Sequence, residues 1–139
     1  DLPVEESEGW RKAAEQHGLG TVFVVAPSSR DERLAKITAA GSGFVYAASL
    51  MGVTGTRASV GEQAADLVRR TRATTGLPVC VGLGVSNAAQ AAEVAAFADG
   101  VIVGSAFVQR LLDAEGDLPA GLAAVRALAG ELAEGVRKR

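Results

Sequence analysis

The sequence predicts an α/β fold in which parallel strands alternate with helices. Four short apolar runs, rich in β-branched residues, do not alternate with polar residues, a pattern typical of strands buried on both faces. A helical stretch follows each run, and this alternation indicates right-handed crossovers that join the strands into a parallel sheet. The predicted strands are Thr21–Ala26, Gly43–Ala48, Pro78–Val81 and Val101–Val103.

The composition supports one globular domain and excludes several other classes of protein. Of 139 residues, 48% are apolar and 22% are charged, with a net charge of −2, which excludes a disordered chain and a basic nucleic-acid binder. No stretch approaches the ~18 apolar residues of a membrane-spanning helix. The single cysteine, Cys80, cannot form an intramolecular disulfide, and no cysteine/histidine cluster suggests a metal site. Since no signal peptide opens the sequence, the expected location is the cytoplasm.

The predicted helices have recognisable ends. Acidic residues open the first helix and Gly18 stops it, and Trp10 is expected to pack on its inner face. Ser29 and Glu32 form a capping-box pattern before the second helix, and Ser86 is the predicted cap of the fourth. The predicted helices are Val4–His17, Asp31–Ala40, Gly61–Thr74, Asn87–Ala98 and Asp117–Arg139. The last has an apolar stripe made of Leu122, Val125, Leu128, Ala129, Leu132 and Val136.

Two architectures fit this order: an open doubly wound sheet, or part of a TIM (β/α)8 barrel. A complete barrel takes ~250 residues, so this chain would supply about half of one. The first residues, Asp1-Leu2-Pro3, have no preceding Met and are typical of the end of a strand. We therefore expect residues 1–139 to form a single domain, the C-terminal half of a barrel with about four parallel strand–helix units.

Glycine-rich loops follow the last two predicted strands. They are Gly82-Leu83-Gly84-Val85-Ser86 and Gly104-Ser105-Ala106. Glycines before a helix N-terminus let backbone N–H groups face an anion, and barrels commonly hold a phosphate there. The alternative is that the glycines only permit tight turns. A dinucleotide site is disfavoured, because Asn87 stands where that motif needs a third glycine or alanine.

A long loop, Ser49–Ser59, follows the second predicted strand. Loops of about a dozen residues in compact domains are usually functional lids or disordered segments. Gly52 and Gly55 could act as hinges around Thr54. Tyr46 lies in the strand that leads to this loop, where its hydroxyl could face the mouth of the site; an ordinary core position is the equal alternative.

Four segments together resemble the tryptophan synthase alpha chain. They are Asp1–Ser7, Gly52–Gly55, Val81–Ser86 and Gly104–Ala106, in the family's order along the whole sequence. The resemblance implies the part of the barrel from the end of the fourth strand through the eighth helix. It also implies the lyase reaction of tryptophan biosynthesis, in which indole-3-glycerol phosphate is cleaved to indole and glyceraldehyde 3-phosphate. Indole then passes to a beta chain, and pyridoxal phosphate is expected only in that partner.

The resemblance also implies roles for individual residues. The matched positions are Gly55, Gly84, Gly104 and Ser105 for phosphate, Tyr46 and Thr54 at the reacting centre, Leu83 and Ile102 near indole, and Asp1 and Pro3 near the beta chain. Leu83 replaces a phenylalanine that is common in the family. The mechanism needs a general acid and a general base. The family's catalytic glutamate and aspartate lie in the other half, and no acid of this sequence matches either of them.

Two other functions remain open. The first is a non-catalytic half-barrel module that binds phosphate or packs against a partner. The second is another phosphate-binding barrel enzyme, such as a thiazole or pyridoxal phosphate synthase, which needs a Schiff-base lysine at a strand end. The three lysines, Lys12, Lys36 and Lys138, all fall in predicted helices, which disfavours this second function.

Overall fold

The computed structural model of the chain describes residues 1–48, 57–82 and 84–138, with the backbone alone for residues 57–60. A 3₁₀ turn at Val4–Glu6 opens the chain. The elements that follow are α1 (Glu8–Gln16), β1 (Val24–Val25), α2 (Asp31–Ala40), β2 (Val45–Ala48), α3 (Arg57–Arg72), β3 (Val79–Gly82), α4 (Ala88–Ala95), β4 (Gly100–Val101), α5 (Ser105–Leu112) and α6 (Leu118–Arg137).

The four strands form one sheet in the order β1–β2–β3–β4, and each neighbouring pair is parallel. This confirms the predicted adjacent parallel strands joined by helices. The paired segments of β1 and β4 are shorter than predicted, because regular pairing reaches only part of each apolar run. One further backbone hydrogen bond extends the pairing at each of these strands. Tyr46 N–H donates to Phe23 O at 3.0 Å, and Ile102 N–H donates to Val81 O at 2.8 Å.

Helices cover one face of the sheet, and the other face is only half-buried. Along β2 and β3, buried and half-buried residues alternate. The strands are therefore buried on one face, as half of a barrel implies, and Tyr46 and Cys80 lie on the less buried face. The buried face packs on the helices in one core made largely of Val25, Leu34, Ile37, Val45, Ala47, Leu67, Val68, Val79, Val81, Val94, Leu128 and Leu132.

The predicted first helix is interrupted at Ser7. This side chain is fully buried, and its hydroxyl donates to Val4 O at 2.7 Å, which closes the 3₁₀ turn before α1 begins. The helix stops at Gly18 as predicted, where φ is +66°. Trp10 is not packed as expected, since 61% of its surface is exposed.

The predicted serine caps are both wrong. Ser29 Oγ accepts from Ala26 N–H at 3.1 Å, inside the β1–α2 loop, and Arg30 precedes α2 without a capping side chain. At α4 the cap is Asn87, whose Oδ1 accepts from Gln90 N–H at 3.0 Å. Gln90 in turn accepts from the backbone N–H of Ser86 at 2.8 Å.

The chain also contains a helix that was not predicted, α5, directly after β4. Its residues Ser105–Leu112 have a partly packed apolar side that includes Phe107. α6 begins one residue later than predicted, with Asp117 as the cap. Leu122 and Ala129, assigned to its buried stripe, are exposed.

Exposed apolar side chains lie at the two ends of the row of strand–helix units. Those of the described residues are Leu2, Trp10, Leu19 and Val22 near the first unit, and Val108, Leu111, Leu112, Leu118 and Leu122 on α5 and around the start of α6. Such a distribution is expected where further units of a barrel would pack. Within the described ranges, no helix has the length and apolar content required to cross a membrane.

Gly135 sets the closest approach between α6 and α4. A Cβ at this buried position would lie 2.9 Å from Ala88 Cα and closer still to Ala88 O. We expect Gly135→Ala to lower the free energy of unfolding by about 1–3 kcal/mol through overpacking. Gly130, on the same helix, has open space at its Cβ position, so Gly130→Ala should raise the free energy by up to about 1 kcal/mol. Urea unfolding measures both, and changes of the same sign would contradict the packing.

Candidate functional site

The carboxyl ends of the strands meet at one edge of the sheet. Because β3 and β4 are parallel neighbours, the segments that follow Gly82 and Val101 start from the same side. Gly84 comes two residues after the end of β3, and Gly104 comes three residues after the end of β4. Ligands of parallel α/β folds bind beyond this edge. The topology therefore brings both glycine loops to the same side of the fold.

Gly84 occupies a backbone conformation that requires glycine. Its φ is +66°, in the left-handed region, and a Cβ there would meet no atom within 4 Å. The next residue, Val85, is buried and anchors the loop in the core. The turn conformation alone explains glycine at position 84, and none of the described residues fills the space in front of it.

Gly104 is different, because its backbone does not demand glycine. Its φ is −127°, outside the left-handed region, and an added Cβ would again meet no atom of the described residues within 4 Å. Neither handedness nor crowding among the described residues therefore explains this glycine. An anion that approaches the backbone closely would explain it.

The N-terminus of α5 faces this space. Gly104 is the N-cap of the helix and offers no side-chain cap, while its carbonyl accepts from Phe107 and Val108. In an α-helix the first N–H groups, here those of Ser105 and Ala106, have no intrahelical acceptor. These donors and the helix dipole favour a negative charge at this position. The exposed Ser105 adds a hydroxyl that can donate to the same anion.

Tyr46 lies across the end of β3. A Cβ at Gly82 would come within 2.8 Å of Tyr46 Cζ and 3.0 Å of Cε1, and closer still to the hydroxyl oxygen. The ring therefore leans from its register partner Cys80 toward Gly82, the last residue of the strand. This places the phenolic oxygen at the carboxyl edge. The importance of Gly82 as the seat of this ring was missed, because the sequence does not show the register between β2 and β3.

Replacing Gly82 with alanine should displace the Tyr46 ring. The methyl group would occupy the position of the ring, so we expect the half-exposed ring to move aside, at a cost of about 1 kcal/mol or less in the free energy of unfolding. We also expect the NMR signals of the Tyr46 ring to shift. Gly76→Ala is the matched control, because nothing lies within 4 Å of the added Cβ. Unchanged ring signals in Gly82→Ala would contradict the proposed seat.

Of the other predicted site residues, three lie within the described residues and three lie outside them. Ile102 is half-buried directly after β4, and its N–H extends the pairing with β3. Asp1 and Pro3 are exposed before the 3₁₀ turn, and Pro3 O accepts from Glu6 N–H at 3.0 Å. Thr54, Gly55 and Leu83 lie outside the described residues.

Acidic residues are missing from the segments between each strand and the next helix. Residues 26–30, 49–56, 82–87 and 102–104 contain no Asp, Glu, His or Lys in the sequence. Burial, followed by the charge of Asp99, raises the pKa of Cys80, so its thiol stays protonated at neutral pH. In the described part of the chain, no group of His, Cys, Asp and Glu side chains could hold a metal ion. The segments after the four strands thus offer N–H donors, and β2 offers the phenol of Tyr46, without a general acid–base pair among them.

Comparisons with known proteins identify the family of the chain. The family model of the tryptophan synthase alpha chain matches residues 1–137. The chain is 84% identical to the tryptophan synthase alpha chain of Streptomyces avermitilis and 80% identical to that of Streptomyces coelicolor, each over 137 residues and 99% of this chain. These matches cover 49% and 50% of the two relatives, so the chain spans about half of their length.

Solved structures give the same result. Tryptophan synthase from Mycobacterium tuberculosis aligns with a TM-score of 0.80 at 52% identity, over 99% of this chain and 49% of that chain. The alpha chain from Legionella pneumophila aligns with a TM-score of 0.80 at 29% identity, over 99% of this chain and 50% of that chain. The four strand–helix units correspond to half of the barrel of these proteins. The chain belongs to the tryptophan synthase alpha chain family.

Proposed function

We propose that this chain supplies the phosphate-binding half of a tryptophan synthase alpha chain. In this lyase, the carbon–carbon bond of indole-3-glycerol phosphate breaks to release indole and glyceraldehyde 3-phosphate. The observation that carries the proposal is the shared edge of Gly84 and the Gly104 cap of α5, within a sequence that matches the family over residues 1–137. We also propose that residues 1–139 form one domain.

The proposed phosphate site uses backbone donors. The N–H groups of Gly84, Gly104 and Ser105 would bind the phosphate oxygens, together with Gly55 from the segment after β2. The N-terminus of α5 supports this arrangement, because its dipole and unpaired donors stabilise a dianion without a charged side chain. A backbone site of this kind also fixes the distance from the phosphate to the reacting carbon atoms.

The remaining site residues would orient the rest of the substrate. Tyr46 lies over Gly82 and would contact the glycerol portion near the breaking bond. Ile102, half-buried after β4, would pack with Leu83 against indole. Thr54 would close over the substrate and contact a catalytic carboxylate.

Proton transfer would come from residues that this sequence does not contain. Cleavage requires a proton at C3 of indole and removal of a proton from the glycerol hydroxyl. The segments that follow the four strands have no acidic residue, and no acid of this sequence matches the family's catalytic glutamate or aspartate, so we propose that the chain alone is inactive. The same observation favours the second candidate function, a non-catalytic phosphate-binding half-barrel module.

The proposed partner is a tryptophan synthase beta chain. Asp1 and Pro3, exposed at the start of the chain, would contact it. Pyridoxal phosphate is expected in that beta chain alone, with no cofactor, metal ion, nucleic acid or membrane bound by this chain. The proposed location is the cytoplasm.

Titration of the isotope-labelled chain with inorganic phosphate and with glyceraldehyde 3-phosphate tests the site. We expect the amide signals of Gly84, Gly104 and Ser105 to shift with both ligands and to saturate. The amide of Gly130, on the exposed surface of α6, is the internal control and should not move. Shifts confined to other parts of the chain would contradict the proposed phosphate site.

A further inference from the structure

Arg33 joins the start of the chain to α2. Its Nη1 donates to Glu5 Oε1 at 2.8 Å and its Nη2 donates to Glu5 Oε2 at 3.1 Å, a two-pronged ion pair. Glu5 belongs to the 3₁₀ turn directly after Asp1–Pro3. A hydrogen bond to its own backbone and the nearby Arg33 guanidinium lower the pKa of Glu5, so the carboxylate is ionised at neutral pH. Arg33 therefore holds the first residues against α2.

Arg70 joins the β1–α2 loop to α3. Its Nε donates to Asp31 Oδ1 at 2.8 Å, Nη1 donates to Pro27 O at 3.4 Å, and Nη2 donates to Ser29 O. The side chain is only 21% exposed. Its neighbour Arg69 pairs with Asp66 on the same helix and is 75% exposed. One guanidinium thus fixes the loop and the first residue of α2 together.

The segments held by these two arginines are adjacent. Residues of both, with Arg33 between them, line a cleft of about 220 Å³ made of Asp1, Leu2, Pro3, Val4, Phe23, Val24, Ala26, Ser29, Arg33 and Ile37. The loop is braced from within, since Ser29 N–H donates to Ala26 O at 2.8 Å. Residues 1–6 and 26–30 therefore form one continuous surface, which we term the clasped surface.

We propose that Arg33 and Arg70 are positioning residues that order the clasped surface for the beta chain. This inference rests on the proposed function, which places Asp1 and Pro3 at that partner. An exposed ion pair such as that of Arg33 and Glu5 stabilises the contact of the segments that it joins by up to about 1 kcal/mol, which is about fivefold in an equilibrium constant. A surface that is already ordered loses less conformational entropy on binding, which strengthens the complex. The two guanidinium groups act on the partner only through the segments that they hold.

The test uses a complete alpha chain of the relatives' full length that carries this sequence, with a purified tryptophan synthase beta chain. Calorimetry gives the dissociation constant for the original chain, Arg33→Gln, Arg70→Gln and the matched control Arg69→Gln. We expect the constant to rise about three- to fivefold for Arg33→Gln and about tenfold for Arg70→Gln, and to change less than twofold for Arg69→Gln. Affinity for inorganic phosphate should stay the same in all four, which separates the effect from a general loss of structure.

The outcomes separate the inference from the proposed function. Equal affinity of the Arg33 and Arg70 variants for the beta chain would overturn the inference and leave the proposed partner in place. Failure of the original complete chain to bind would overturn both. If Arg70→Gln does not fold, Asp31→Asn removes the charge of the same contact at a side chain that is 77% exposed. It should weaken the complex about threefold, and unchanged affinity would again overturn the inference.

Discussion

Replacing Gly104 with aspartate is expected to weaken phosphate binding by at least about a hundredfold. The new carboxylate would stand in open space at the N-cap of α5, where the proposed phosphate site lies. Two like unit charges about 4 Å apart repel by roughly 4 kcal/mol at an effective dielectric constant of 20. Since each 1.4 kcal/mol is a factor of ten in affinity, this repulsion alone exceeds about two orders of magnitude. Titration calorimetry with inorganic phosphate measures the loss.

Gly104→Asn is the matched control for this substitution. Asparagine has nearly the same shape as aspartate, and both are good N-cap residues, so both variants should keep α5 intact or stabilise it slightly. They differ in charge. We therefore expect Gly104→Asn to bind phosphate much more tightly than Gly104→Asp. Equal affinity of the two variants for phosphate would show that Gly104 does not lie beside the anion.

The order and direction of the strands could be predicted because their signals are local. Each apolar run is bounded by glycine, proline or polar residues, and a helix follows each run; the helix after the first run, α2, has a recognisable stop at Gly41. The burial of the runs could not be predicted in full. Whether the Tyr46 and Cys80 face of the sheet is covered depends on what lies opposite, and local sequence does not show this.

The helix predictions that were wrong also depend on contacts beyond the local sequence. Ser29 and Ser86 match the cap pattern, but a serine hydroxyl can bond to several nearby groups, and the β1–α2 loop uses Ser29 for Ala26 N–H. Trp10 and Leu122 were assigned to packed faces because they are apolar, yet they lie at the two ends of the row of units. The eight-residue α5 was missed because it is short and directly follows a glycine turn.

The candidate site was predictable to the extent that it depends on strand ends. Gly84 and Gly104 follow predicted strands, so parallel topology was enough to bring them to one edge. The contact between Tyr46 and Gly82 required the register of two strands that are distant in sequence. The hydrogen bonds of Arg33 and Arg70 join residues that are 28 to 43 positions apart in the sequence, and no local pattern reveals such contacts.

The chain alone is expected to release no detectable indole from indole-3-glycerol phosphate. General acid–base groups each supply ~10²–10⁴-fold in rate, and both proposed groups are missing from this sequence. Adding the complementary half of the alpha chain should restore part of the activity. Edge strands and the apolar side chains at both ends of the row of units favour recombination of the two halves.

The Gly104→Asp variant of the chain tests whether the restored activity depends on the proposed phosphate site. Mixed with the complementary half, it should recombine equally well, because its substitution lies in open space. It should nevertheless release little indole, since the substrate phosphate would be repelled. Activity equal to that of the unmodified mixture would contradict the role of the phosphate site in cleavage.

An assay of indole release from indole-3-glycerol phosphate tests most directly whether this chain binds the substrate phosphate while another segment transfers the protons. The assay compares the 139-residue chain, the complementary half, and an equimolar mixture of the two. We expect release in the mixture and none in either half alone. Robust turnover by the 139-residue chain alone would contradict this expectation, and an inactive mixture that still binds phosphate would favour the non-catalytic module.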